Sequence, residues 1–158
     1  MTYGLFIALA GAAIAAILAG IGSIFGVRTA AQASAGVVSE DPDKFGKVLI
    51  LTALPGSQGI YGFLAAIIIS NATGILSGSP LDLSLQQGWA VLAAALPCAL
   101  TCLFSGIYQG KVAAAGVNIT AKKPDASGKG VILSAIVETY AVLGLLVTIL
   151  IVNGLNLS

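Results

Sequence analysis

The sequence has no histidine, only two cysteines, and just seven Lys/Arg and six Asp/Glu among its 158 residues. Without an imidazole, serine–histidine and cysteine–histidine catalysis are excluded. Cys98 and Cys102 alone cannot supply a zinc or haem site, and four apart in an apolar run they read as small buried helix residues. No Gly-x-x-x-x-Gly-Lys-Ser/Thr loop is present, so the chain should have no ATP-hydrolysing site of its own. A net charge of +1 leaves no basic face for nucleic acid. Charged residues make up 8% of the chain, against about 25% in ordinary soluble domains. Too few polar side chains remain to cover a water-facing surface.

What is present is apolar: 58% hydrophobic residues and a mean hydropathy of +1.03. Residues 1–27, 48–81 and 83–110 carry no charge, and 130–158 carries only Glu138. Each run exceeds the roughly 20 residues that cross a bilayer. Extended or open-sheet alternatives would leave backbone groups unsatisfied in hydrocarbon. The expected fold is therefore an all-α membrane protein with helices near 4–36, 46–75, 86–119 and 128–153. Met1-Thr2-Tyr3 lacks a positive n-region and the following apolar stretch is too long for a signal peptide, so it reads as a retained first span.

Arg28, Lys44, Lys47, Lys111, Lys122, Lys123 and Lys129 flank two connections, near 37–45 and 120–127. The positive-inside rule predicts a multi-pass protein of the cell membrane with these loops cytoplasmic and with both termini and the 76–85 connection outside. Pro42 and Pro124 would stop helix continuation in the two loops. Asn71-Ala-Thr, Asn118-Ile-Thr and Asn156-Leu-Ser match a glycosylation pattern too short to carry a role.

The chain also repeats itself. Residues 42–51, PDKFGKVLIL, align with 124–133, PDASGKGVIL, and 24–28 align with 107–111. Both copies keep the same orientation, a duplicated hairpin and not an inverted repeat. The expected division is a first hairpin at 1–75, a connection at 76–85 and a second hairpin at 86–158. Glu138 then falls opposite Gly56, and Gln109 opposite Gly26, so the second hairpin alone carries a carboxylate. The first and third spans are rich in Ala and Gly, Gly22 and Gly26 among them. Small residues admit close helix contact in lipid, within one chain or along the inside of a ring of copies.

An ionisable residue at membrane depth is costly and marks a functional site by default. Glu138 lies about ten residues, or about 15 Å, beyond the 120–127 loop, near the middle of a core about 30 Å thick. Gln109 and Gln58 sit at similar depth, with Ser57 beside Gln58 and Tyr61 one turn on. Pro55 has no N–H and disturbs the carbonyls before it, including that of Leu54. Together these offer several hard oxygens around one negative charge, a set suited to Na⁺. A divalent ion would leave net positive charge buried. Proton carriage needs the carboxylate but not two amides and a hydroxyl converging on it. A third reading makes Glu138 interhelical glue.

Three stretches carry a family resemblance: LPGSQGIYGF at 54–63, LFSGIYQGKVAAAG at 103–116 and VETYAVLG at 137–144. Through them, and along its whole length, the chain resembles the proteolipid (c or K) subunit of V-type ATPases, most nearly that of bacterial sodium-pumping forms. The resemblance implies a rotor ring of identical subunits in membrane lipid, turning against a stator partner that supplies an arginine and joined to a central-stalk partner on the cytoplasmic side. It implies Na⁺, with H⁺ as the alternative cargo, carried on Glu138 and liganded by the Leu54 carbonyl, the Ser57 hydroxyl and the Gln58 and Gln109 amide oxygens, while Tyr61 donates a hydrogen bond to Glu138. The family often has Thr at the position of Ser57. It also implies that the first and third spans line the inner ring, and that one carboxylate per four helices favours pumping over synthesis. A small multidrug antiporter also has four helices and a membrane Glu, but carries it in the first helix and has no duplicated hairpin. A purely structural ring or pore protein would leave Glu138 dispensable.

Overall fold

The computed structural model describes residues 2–157, and among them the only regular structure is helical. Met1 and Ser158 lie outside these residues, and with them the outer bounds of 1–75 and 86–158 and the last residue of the Asn156-Leu-Ser match. Helix α1 covers Tyr3–Glu40 and is followed by a 3-10 turn at Pro42–Lys44. Helices α2 (Phe45–Ala53) and α3 (Ser57–Ala72) together make the second span. Helix α4 covers Leu85–Lys122; a 3-10 turn at Pro124–Ala126 leads into α5, Ser127–Gly154. Among the described residues, four spans are long and apolar enough to cross a membrane.

The helices differ from the sequence expectation in four places. The helix expected over 46–75 is divided by a 3-10 turn at Leu54–Gly56, because Pro55 cannot donate to the helical ladder. It also ends at Ala72: the Thr73 hydroxyl donates back to the Ile69 and Ser70 carbonyls, and Gly74 then takes a positive φ of 76°. The first and third spans run further than 36 and 119, because the two basic connections need only a single non-helical residue, Asp41 or Lys123, before a proline-initiated turn. At about 1.5 Å per residue, α1 and α4 are each about 57 Å long, well beyond the hydrocarbon core. Their surplus projects at the basic end, after Arg28 and Lys111.

The centre of the bundle is the α1/α4 pair. The two helices run parallel, and their glycines meet in constant register: Gly4 with Gly88, Gly22 with Gly106, Gly26 with Gly110. A Cβ on Gly106 would lie 2.6 Å from the Gly22 carbonyl carbon, so the backbones touch without intervening side chains. The core around this seam is mostly alanine, including Ala8, Ala12, Ala15, Ala19, Ala94, Ala95 and Ala99. Helix α3 packs on α1, where Gly62 meets Ala15 and Ala19; α5 packs on α4, where Gly130 meets Gly116 and Gly144 meets Pro97 and Thr101. Pro97 sits inside α4 without ending it, and the neighbouring Cys98 N–H donates across to the Thr148 hydroxyl of α5 at 3.2 Å. The outward faces of α3 and α5 are large and apolar, with Ile60, Phe63, Ile132, Ile136, Leu143 and Leu150 exposed. Lipid or other copies would solvate these faces, as water cannot.

At the basic end the two connections are tied together. Lys44 pairs with Asp41 at 3.2 Å and donates to the Ala121 carbonyl at 3.0 Å, capping the C-terminal turn of α4. The exposed Lys47–Asp125 pair at 4.0 Å adds little.

Candidate functional site

The site forms where the broken second span meets α4 and α5. The 3-10 turn redirects the chain so that α3 begins at Ser57 with Gln58 facing inward, fully buried. Gln109 reaches the same place from α4 and is also fully buried. Two buried amides at membrane depth must find partners, and they find each other: the Gln58 amide nitrogen donates to the Gln109 amide oxygen. Gln109 in turn donates from its nitrogen to Glu138 Oε2 at 3.4 Å, a long contact. The other carboxyl oxygen, Oε1, accepts the Tyr61 hydroxyl at 2.6 Å, a short bond. Glu138, Gln109, Gln58 and Tyr61 therefore form one hydrogen-bonded chain across α3, α4 and α5. On its other flank Glu138 opens to an apolar groove with Ala135, Thr139, Val142 and Leu143.

Two details depart from the ligand arrangement expected from the sequence. The Ser57 hydroxyl donates to the Leu54 carbonyl at 2.9 Å, so these two oxygens are engaged with each other, with Gln58 Oε1 at 3.5 Å from the same hydroxyl. Gln109 turns its nitrogen, and not its oxygen, toward the carboxylate, because its oxygen is taken by Gln58. Half a turn about the terminal torsion exchanges these two atoms.

One contributor was missed in the sequence. Ser23 of α1, nearly buried, donates its hydroxyl to the Pro55 carbonyl at 2.8 Å, and its Cβ packs where a side chain on Gly59 would stand. It is the only hydroxyl-bearing residue between Gly4 and Val27, a signal that could have been read in an otherwise Ala/Gly-rich run. By this bond α1 holds the turn on which Leu54 and Ser57 sit. Ser23→Ala should therefore destabilise the chain by about 1 kcal/mol, the net worth of one buried hydrogen bond. Thermal unfolding in detergent would register this as a modest fall in midpoint; an unchanged midpoint would mean that the turn does not need the bond.

The arrangement joins a carboxylate, two amides, a hydroxyl and a carbonyl across three helices, with the two amides fully buried. Its chemical competence is the binding of a small cation or a proton.

Known proteins resemble the chain along most of its length. The family of ATP synthase C subunits matches the chain twice, over residues 10–69 and 92–151. The V-type sodium ATPase subunit K of Enterococcus hirae is 50% identical over 149 residues, covering 94% of this chain and 92% of that protein. The A-type ATP synthase subunit K of Methanocaldococcus jannaschii is 39% identical over 95% of this chain, which spans 63% of that protein's length. The V-type proton ATPase 16 kDa proteolipid of Chrysotila carterae is 30% identical over 94% of the chain and 90% of its own length. With both hairpins matched, the chain belongs to the ATP synthase C-subunit family and carries the family's unit twice in tandem.

Proposed function

We propose that this chain is the membrane rotor subunit of a V-type ATPase and that it carries one Na⁺ on Glu138, with ATP hydrolysed elsewhere in the complex. The observation that carries the reading is the hydrogen-bonded chain in which Tyr61 and Gln109 donate to the single carboxylate at membrane depth and Gln58 donates to Gln109 behind it. The 50% identity to a sodium ATPase subunit, against 30% to a proton ATPase proteolipid, supports Na⁺ as the cargo.

In this reading the ligands are the Leu54 carbonyl, the Ser57 hydroxyl, the Gln58 and Gln109 amide oxygens and the Glu138 carboxylate. The Ser57 hydroxyl turns its lone pairs inward, and Gln109 rotates its amide so that the oxygen faces the ion. Tyr61 stays on Oε1 and keeps the carboxylate folded over the site. The bound ion neutralises Glu138, so an occupied site can pass through lipid without exposing a charge. Copies of the chain form a ring, with α1 and α4 inside and the apolar faces of α3 and α5 outside. At the stator an arginine draws the carboxylate, by way of the open groove beside Ala135 and Thr139, and the ion leaves. The hairpins 1–75 and 86–158 are the two units, joined by the 76–85 connection, and the second carries the ion-binding carboxylate. The basic loops face the cytoplasm and meet the central stalk, with both termini outside.

The rival cargo is H⁺, which Glu138 with its Tyr61 and Gln109 partners would also hold. Labelling of Glu138 by a carboxyl-reactive carbodiimide separates the two at fixed pH. Protection that rises with Na⁺ is expected; labelling that follows pH and ignores Na⁺ would overturn the sodium reading. Tyr61→Phe removes the short bond to Oε1, and the Na⁺ concentration for half-protection should rise about tenfold, the worth of a hydrogen bond to a charged group. No rise in that variant would mean that the phenol does not hold the carboxylate closed.

A further inference from the structure

Among the described residues, two enclosed side-chain oxygens have no hydrogen-bond partner: the hydroxyls of Ser105 and Ser134. A buried hydroxyl without a partner is unfavourable, and most serines in helices avoid this by bonding the carbonyl one turn back. Ser134 is completely buried and lies one turn before Glu138 on α5. The buried stripe of α5 runs through Gly130, Ser134, Ala141, Gly144 and Thr148, and three of these meet α4 at Gly116, Thr101 and Cys98. Ser134 therefore faces the same α4/α5 seam from which Gln109 reaches the carboxylate. Helical side chains lean back toward the N-terminus, so the Glu138 side chain leans over Ser134.

The hydrogen bonds of Glu138 give this hydroxyl a use. Tyr61 holds Oε1 at 2.6 Å, while Oε2 has only the 3.4 Å contact from the Gln109 nitrogen. Coordination of a cation by the Gln109 oxygen withdraws that nitrogen and leaves Oε2 without a donor. We infer that Ser134 is a positioning residue for the loaded site: its hydroxyl donates to the Glu138 carboxylate when the Gln109 amide has turned its oxygen to the cation. This rests on the sodium reading above. Ser134 touches the carboxylate and not the ion, and it acts in the loaded arrangement alone.

Ser105 supplies the control. It is also buried and without a partner, but it sits on α4 one turn before Gln109, beside Thr101, Tyr108 and Val137, on the far side of the amide from the basic loops. The experiment measures carbodiimide labelling of Glu138 against Na⁺ at fixed pH in the purified unsubstituted chain, Ser134→Ala and Ser105→Ala. Ser134→Ala should raise the half-protecting Na⁺ concentration about tenfold and leave the Na⁺-free labelling rate unchanged, while Ser105→Ala changes neither. Equal half-protection in Ser134→Ala and the unsubstituted chain would overturn the role of Ser134 and leave the sodium site standing. A change in the Na⁺-free rate would also overturn it, since that would make Ser134 a packing residue. Absence of Na⁺ protection in the unsubstituted chain would instead overturn the sodium reading beneath it.

Discussion

Glu138→Gln is expected to bring ATP-driven Na⁺ uptake into inverted membrane vesicles down to background, with the ring still assembled. Glutamine has nearly the shape of glutamate and keeps an oxygen that can accept the Tyr61 hydroxyl now 2.6 Å from the carboxylate. What it lacks is the negative charge. A Na⁺ held only by neutral oxygens would remain a net positive charge in hydrocarbon, which costs several kcal/mol even after local relaxation. Assembly should survive, because a neutral amide in the groove beside Ala135 and Thr139 is cheaper to expose to lipid than a bare carboxylate. Native electrophoresis of the solubilised ring reads assembly, and sodium uptake reads transport. Full transport by the variant would sink the carrier reading and leave a structural ring or pore protein. Loss of the ring together with transport would make Glu138 interhelical glue.

The second large effect is predicted at the α1/α4 seam. Gly106→Leu should abolish the four-helix packing and the ring with it, and Gly106→Ala should cost about 1–3 kcal/mol as an overpacked contact. A Cβ at this position lies 2.6 Å from the Gly22 carbonyl carbon and 3.0 Å from the Ser23 nitrogen, so the obstacle is backbone and cannot rotate away. Separation of α1 from α4 would also draw Ser23 from the Pro55 carbonyl and loosen the turn that carries Leu54 and Ser57. Gly36 is the contrast, since nothing lies within 4 Å of a Cβ built there. Gly36→Ala should be neutral or stabilise by about 0.5–1 kcal/mol through helix propensity. Yield of intact ring in mild detergent would order the three variants. A normal ring from Gly106→Leu would mean that the parallel glycine contacts are not what joins the hairpins.

Much of this architecture is legible in one dimension because lipid leaves so few choices. Charge-free runs must be helices, and the basic residues at Arg28, Lys44, Lys47, Lys111, Lys122, Lys123 and Lys129 mark where those helices leave the hydrocarbon. Depth is equally legible: counting residues from the loops puts Gln58, Gln109 and Glu138 at one level with Tyr61 one turn on, and in the folded chain the four form one hydrogen-bonded series. Rotation about the helix axis and contact between distant segments are not legible in this way. The role of Ser23 is not legible because its partner is the Pro55 carbonyl in the second span, a pairing that exists only once α1 and that span have found their register. The direction of the Gln109 amide is set by Gln58, and so depends on two side chains settling together. The end of α3 at Ala72 depends on Thr73 bonding back to Ile69 and Ser70, where an apolar run through Ile75 and Leu76 suggested more helix.

The pairing of Glu138 with Gly56 across the repeat makes a quantitative demand: two hairpins, but one carboxylate and one ion per chain. Equilibrium binding of radioactive Na⁺ to the purified ring at fixed pH tests this most directly. The account predicts saturation at one Na⁺ per chain and loss of all specific binding in Glu138→Gln. Saturation at two per chain, or no specific Na⁺ binding by a ring whose Glu138 still reacts with carbodiimide, would contradict it.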